Sequence, residues 1–188
     1  MKKCGIVLWC CVLAMSFLHA RVEDSVHVSV TVVGTVFSLG LQDSNGAPWS
    51  GGIDFGKVKP GESVFPPSAV VVAACKSNTG QPWSLQVNAT PLRDSQSGIS
   101  VPEELFKVYV GDPAEQGQLG LPGKRYATGE SPRPLKQNAV TVYASNNKGD
   151  AGFGGGWGTY VPVGFGITVP DTQPQGQYES MMTFTMTE

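Results

Sequence analysis

The chain has 188 residues, with 13 Lys and Arg against 15 Asp and Glu, 24 glycines, 14 prolines and four cysteines. Lys2 and Lys3, the apolar stretch from Gly5 to Leu18 and the ending Leu18-His19-Ala20 make residues 1–20 a secretory signal peptide, too short to span a bilayer comfortably. What remains, 21–188, carries 11 Lys and Arg against the same 15 acids, which excludes a basic footprint for nucleic acid and suits one domain with a real core.

Three of the four cysteines lie in the leader. A lipid-modified cysteine is disfavoured there, because Trp9 precedes Cys10 and Cys10-Cys11 sit deep in the apolar run. Cys75 is left alone, so the domain has no internal disulfide and depends on its core. Cys75 ends the run AVVVAAC and reads as a small buried hydrophobe, with an intermolecular disulfide or reactive thiol as the alternative.

Taken in chain order, the sequence alternates with period two, the mark of half-buried strands. Val26, Val28, Val30 and Val32 point one way, against His27, Ser29 and Thr31. Phe37, Leu39 and Leu41 follow Gly34, and Ile53 and Phe55 repeat the pattern. AVVVAAC is apolar on both faces, as a covered central strand is. Trp83, Leu85, Val87 and Ala89 then share a face, as do Phe106, Val108 and Val110, and Val140, Val142 and Ala144 against Thr141, Tyr143 and Ser145. Thr159, Val161, Val163, Phe165, Ile167 and Val169 make another core face, and Tyr178, Ser180, Met182, Phe184 and Met186 the last. Ser44-Asn45-Gly46, Lys59-Pro60-Gly61, Asn78-Thr79-Gly80 and Asn147-Lys148-Gly149 supply turns. The expected fold is all-β: a two-sheet antiparallel Ig-like sandwich of about nine strands over residues 21–188. Residues 111–138, with five Gly and four Pro, read as one long loop carrying Lys124, Arg125, Arg133 and Lys136.

Between Gly149 and Gly166 eight of eighteen residues are glycine. No register of this stretch satisfies G-x-G-x-x-G before a helix. Its second half is a strand whose outer face holds Tyr160, Pro162, Gly164 and Gly166, nearly bare of side chains. Bare strand positions mark a bend or the close approach of another backbone or ring. Trp49, Trp157, Tyr160, Gly164 and Gly166 are therefore the candidate ligand-facing residues for a stacked sugar, with a covering aromatic from the protein itself as the preferred alternative.

Other motifs carry little chemistry. GGIDFGK is followed by Val58, which cannot bind magnesium as a phosphate loop requires. Asp43-Ser44-Asn45-Gly46 starts like a calcium loop, but its glycine comes too early and no closing Glu follows; it reads as a hairpin turn. His27 and Cys75 are too few for a zinc site or a catalytic triad. Asn88-Ala89-Thr90 is a glycosylation sequon that matters only in a eukaryotic secretory route. No catalytic, cofactor-binding or metal-binding residues are assigned, and no cofactor is expected.

SNTGQPWSLQV, GQYESMMTFTMT and GIDFGKV together resemble the WxL-like domain of bacterial surface proteins, a family with one W-x-L tripeptide in mid-domain and a second in the C-terminal strand. Trp83 and Leu85 match the first; Phe184 and Met186 stand where the second has Trp and Leu. The resemblance implies a secreted, non-catalytic protein at the cell surface or envelope, bound to a cell-wall polymer or another surface protein. The ending and the N-terminal alternation also resemble fimbrial and spore-coat-U-like sandwiches, which implies self-assembly by a donated strand bearing Val26, Val28, Val30 and Val32. A carbohydrate-binding module is the third reading. After signal cleavage no membrane contact is expected.

Overall fold

The computed structural model describes residues 35–115, 123–145 and 158–188, all within one compact unit, 33–188. The first alternating segment, Val26 to Val32, and Trp157 lie outside the described residues.

The domain is all-β. Seven strands have five residues or more: β1 (Phe37–Gln42), β3 (Val70–Ser77), β4 (Ser84–Ala89), β6 (Phe106–Val110), β10 (Val140–Ala144), β11 (Thr159–Thr168) and β13 (Met182–Thr187). Six two-residue strands join them: β2 (Ser63–Val64), β5 (Arg93–Asp94), β7 (Ala114–Glu115), β8 (Lys124–Arg125), β9 (Arg133–Pro134) and β12 (Tyr178–Glu179). The larger sheet runs β1-β3-β11-β6-β9, with β2 and β7 pairing the two ends of β11, and the smaller runs β13-β4-β10-β8. Every pairing among these described strands is antiparallel.

The two sheets pack face to face through the alternating residues. Val71, Ala73 and Cys75 of β3, Val161, Val163 and Phe165 of β11 and Phe106, Val108 and Val110 of β6 meet Leu85 and Val87 of β4 and Val142 and Tyr143 of β10 in one buried cluster. Phe165 stands edge-on to Phe184 across the layers, ring centroids 6.2 Å apart. Period-two apolar sequence forms this core because successive strand side chains face opposite ways. Cys75 is fully buried within it.

Four expectations need correction. Ile53 and Phe55 lie in no strand, yet both pack on the core, and Phe55 stands edge-on to Phe106. Alternation of apolar residues thus reports burial here, not pairing. Tyr143 faces inward, because the ladder between β10 and β4 slips between Thr141 and Tyr143. This β-bulge buries Val142 and Tyr143 in succession. The C-terminal alternation breaks in two: Tyr178–Glu179 pairs with β5 in a separate two-stranded sheet, and Ser180 turns to donate to Thr90 O while Met181 is 74% exposed. Residues 111–138 are no single loop, since their described part contains β7, β8 and β9 and buries Ala127 and Leu135.

The two flanks of the sandwich differ. On one, the chain from β8 to β9 crosses from sheet to sheet: Tyr126 N donates to Val142 O, Val110 N to Ala127 O and Leu135 N to Phe106 O. On the other flank β1 and β13 stand alongside each other. Each is the last strand of its sheet, and neither carries a charged residue. Their inward side chains are incompletely covered: Leu39, Leu41, Met182, Phe184 and Met186 are half-buried and Phe37 is 40% exposed.

Candidate functional site

The bare face of β11 is closed by the protein's own side chains. The outward positions of β11 include Gly164, opposite Val70 on one side and Tyr109 on the other, and Gly166, opposite Lys107. A Cβ on Gly164 would lie 2.2 Å from Tyr109 Cζ, and one on Gly166 would lie 2.1 Å from Phe65 Cδ1. Each glycine is therefore the floor beneath one of the protein's own rings. Tyr109 and Phe65 also support each other, tilted with centroids 6.3 Å apart. Glycine leaves room here for the rings, because a Cβ at either position would displace the ring above it. Gly164 and Gly166 are buried beneath these rings rather than open to the surface.

The other candidates for stacking separate. Trp49 is half-buried and packs on the core, and its backbone N–H donates to Leu41 O at 2.8 Å, which ties the segment after the first hairpin to β1. It is a packing residue. Tyr160 stays half-buried on the outer face, opposite Ala74. The structure brings Trp49 and Tyr160 to different layers of the fold, one packed on the core and one on the outer face.

Trp83 and Leu85 are buried, and Phe184 and Met186 lie on the strand beside them. Leu85 pairs with Met186 and Val87 with Phe184. The two halves of the motif thus form one rib across adjacent strands. The Trp83 ring tilts against Tyr143 at 5.5 Å, and its backbone is clamped by Ser145, whose Oγ accepts from Trp83 N and whose N donates to Trp83 O, both at 2.8 Å. Its indole Nε1 is buried with no hydrogen-bond partner among the described residues. The bulge that turns Tyr143 inward creates this ring contact, and the Tyr143 hydroxyl accepts from Gly123 N at 3.0 Å.

Asp43 Oδ1 accepts from Asn45 N and Ala47 N, at 2.8 and 2.9 Å. Its carboxylate is spent on the turn, with Gly46 at φ 84°, as a hairpin reading requires. Among the described residues no cluster of three or more His, Cys, Asp and Glu is placed to hold a metal ion. No helix among them is long and apolar enough to cross a membrane.

One polar site escaped the sequence reading. Asp94 is 4% exposed, and its carboxylate accepts from Ser97 Oγ at 2.5 Å, Ser97 N at 2.8 Å and Gln177 N at 3.2 Å. The Ser97 hydroxyl first, then the Ser97 N–H, hold its pKa below the ordinary carboxylate value, against the opposing effect of burial. This knot fastens the β5 turn to the strand β12. Asp-x-x-Ser is a turn pattern too common to single it out in sequence, and Gln177 is distant along the chain.

The basic residues between 111 and 138 are spread out. Arg125 pairs with Asp112 at 2.8 Å, Lys124 lies 4.9 Å over the Tyr126 ring, and Arg133 sits on β9, the far edge of the other sheet. They guard short edge strands, as charges on edges commonly do. Compared with protein-family models and with curated proteins, the chain matches none.

Proposed function

We propose that this is a secreted, non-catalytic cell-surface protein with a structural or binding role, held to a cell-wall polymer or to another surface protein. The observation that carries the reading is the rib of Leu85 against Met186 and Val87 against Phe184, with Trp83 buried beside it. It gives the WxL-like positions an architectural role. Attachment then belongs to the outer surfaces and edges. Sedimentation of the purified protein with isolated peptidoglycan tests the reading. Wild type and Trp83→Phe are expected to pellet alike, because the ring lies in the core. Absence from every wall pellet sinks wall attachment.

A second reading, a pilin-like subunit that donates the strand bearing Val26, Val28, Val30 and Val32, is favoured by the β1 edge. β1 pairs only β3 among the described strands, so no described strand lies on the far side of Phe37 and Leu39, and Phe37 is 40% exposed. Protein starting near Phe37 is then expected to be unstable alone and rescued by a peptide of residues 22–35. A stable truncated monomer refutes donation.

A further inference from the structure

We propose that two copies of this domain join edge to edge through β13, antiparallel about Phe184, so that their smaller sheets become one continuous sheet. This goes beyond attachment to a wall and does not depend on it.

The backbone direction of β13 sets the pairing. Thr90 N donates to Met181 O, and Met181 N donates to Thr90 Oγ1, so Met181 is bonded toward β4. In an antiparallel ladder bonded and non-bonded positions alternate. The N–H and C=O groups of Met182, Phe184 and Met186 therefore point away from β4, along the free edge. No described strand pairs with them. The same three residues carry the half-buried inward side chains of this flank.

The edge is complementary to itself. A two-fold axis at Phe184 sets Met182 opposite Met186 of the second copy, Phe184 opposite Phe184, and Thr183 opposite Thr185. Met182, Phe184 and Met186 then all form bonded pairs with both backbone N–H and C=O satisfied. The half-buried Met and Phe side chains gain cover from their counterparts, and threonines meet on the outer face, a favourable cross-strand pair. With no charge on MTFTMT, no like charges meet. An isologous contact of this kind closes at a dimer.

The remaining edges are unsuited to it. β8 and β9 are two residues long and carry Lys124, Arg125, Arg133 and Pro134, the devices that keep edges from pairing. On β1, Leu41 O already accepts from Trp49 N. Only β13 is long, uncharged and open along its full length among the described residues.

Sedimentation velocity over a concentration series tests the proposal on protein spanning Arg21 to Glu188. Wild type is expected to pass from monomer to dimer and no further. Thr183 and Thr185 are exposed, so Thr183→Lys/Thr185→Lys leaves the melting temperature in place. It sets two lysine pairs across the axis and weakens association about tenfold, more at low salt. Thr183→Lys/Thr185→Glu turns both pairs into opposite charges and restores the dimer. A wild type that stays monomeric throughout, or grows past the dimer, overturns the proposal. So does association that ignores the double lysine variant and vanishes on removal of residues 21–35; that result assigns assembly to strand donation instead.

Discussion

Gly164→Ala tests whether the bare face of β11 is filled by the protein's own ring. The backbone at Gly164 is not in the left-handed region, so alanine meets no conformational penalty there. Its Cβ would lie 2.2 Å from Tyr109 Cζ and 2.6 Å from Cε1, so the ring must move by more than an ångström. Phe65, at 6.3 Å, limits sliding along the sheet, and the ring swings outward. If that uncovers about 60–80 Å² of a half-buried tyrosine, the loss is about 1.5–2 kcal/mol. Replacing glycine returns about 0.4–1 kcal/mol through the unfolded chain. The net cost is about 1 kcal/mol, a fall of about 2–4 °C in melting temperature for a domain of this size. Calorimetry on a double-mutant cycle provides the assay. With Tyr109→Ala already present, Gly164→Ala is expected to be neutral or stabilising, a coupling of about 1–2 kcal/mol. If Gly164→Ala costs the same with and without the tyrosine ring, the glycine is not there to seat it.

Two further predictions concern the core rib and the buried carboxylate. Trp83→Ala leaves a cavity beside Tyr143 and costs about 3–5 kcal/mol, read by denaturant unfolding; a loss below about 1 kcal/mol refutes a core role for the ring. Asp94 has a folded pKa below its ordinary value of 3.8, so its stabilising contribution is complete above that value and is lost as pH falls through the folded pKa. Asp94→Asn is therefore expected to lower stability at neutral pH and to flatten the acid limb of the stability–pH curve, measured by thermal unfolding between neutral and acid pH. An unchanged acid limb removes Asp94 from that role.

The fold class was legible because strand alternation is local. Phe37 to Leu41, Leu85 to Ala89, Phe106 to Val110 and Thr159 to Val169 each announce their buried face within a few residues. Where the reading failed, a contact distant in sequence decided. Tyr143 follows the alternation of its neighbours, yet a bulge against Gln86 and Leu85 turns it into the core. Ile53 and Phe55 alternate like a strand but find only side-chain partners. Trp49 stood among candidate ligand residues because its neighbours are turn formers, and its role appears only when Leu41 accepts its N–H.

The glycine-rich stretch shows the same division. Its alternation by itself determined that the chain from Thr159 is a strand with one apolar face, and that the opposite face lacks side chains at Gly164 and Gly166. Tertiary structure alone decided what fills that face, since Tyr109 and Phe65 come from strands and turns far along the chain. The edges divide likewise. Sequence shows that FSLGLQ and MTFTMT lack charge; only strand order shows that both end their sheets on the same flank. Alternation is written between neighbours, which one chain segment can encode alone, whereas covering a glycine or exposing an edge depends on which distant segments loop closure brings together.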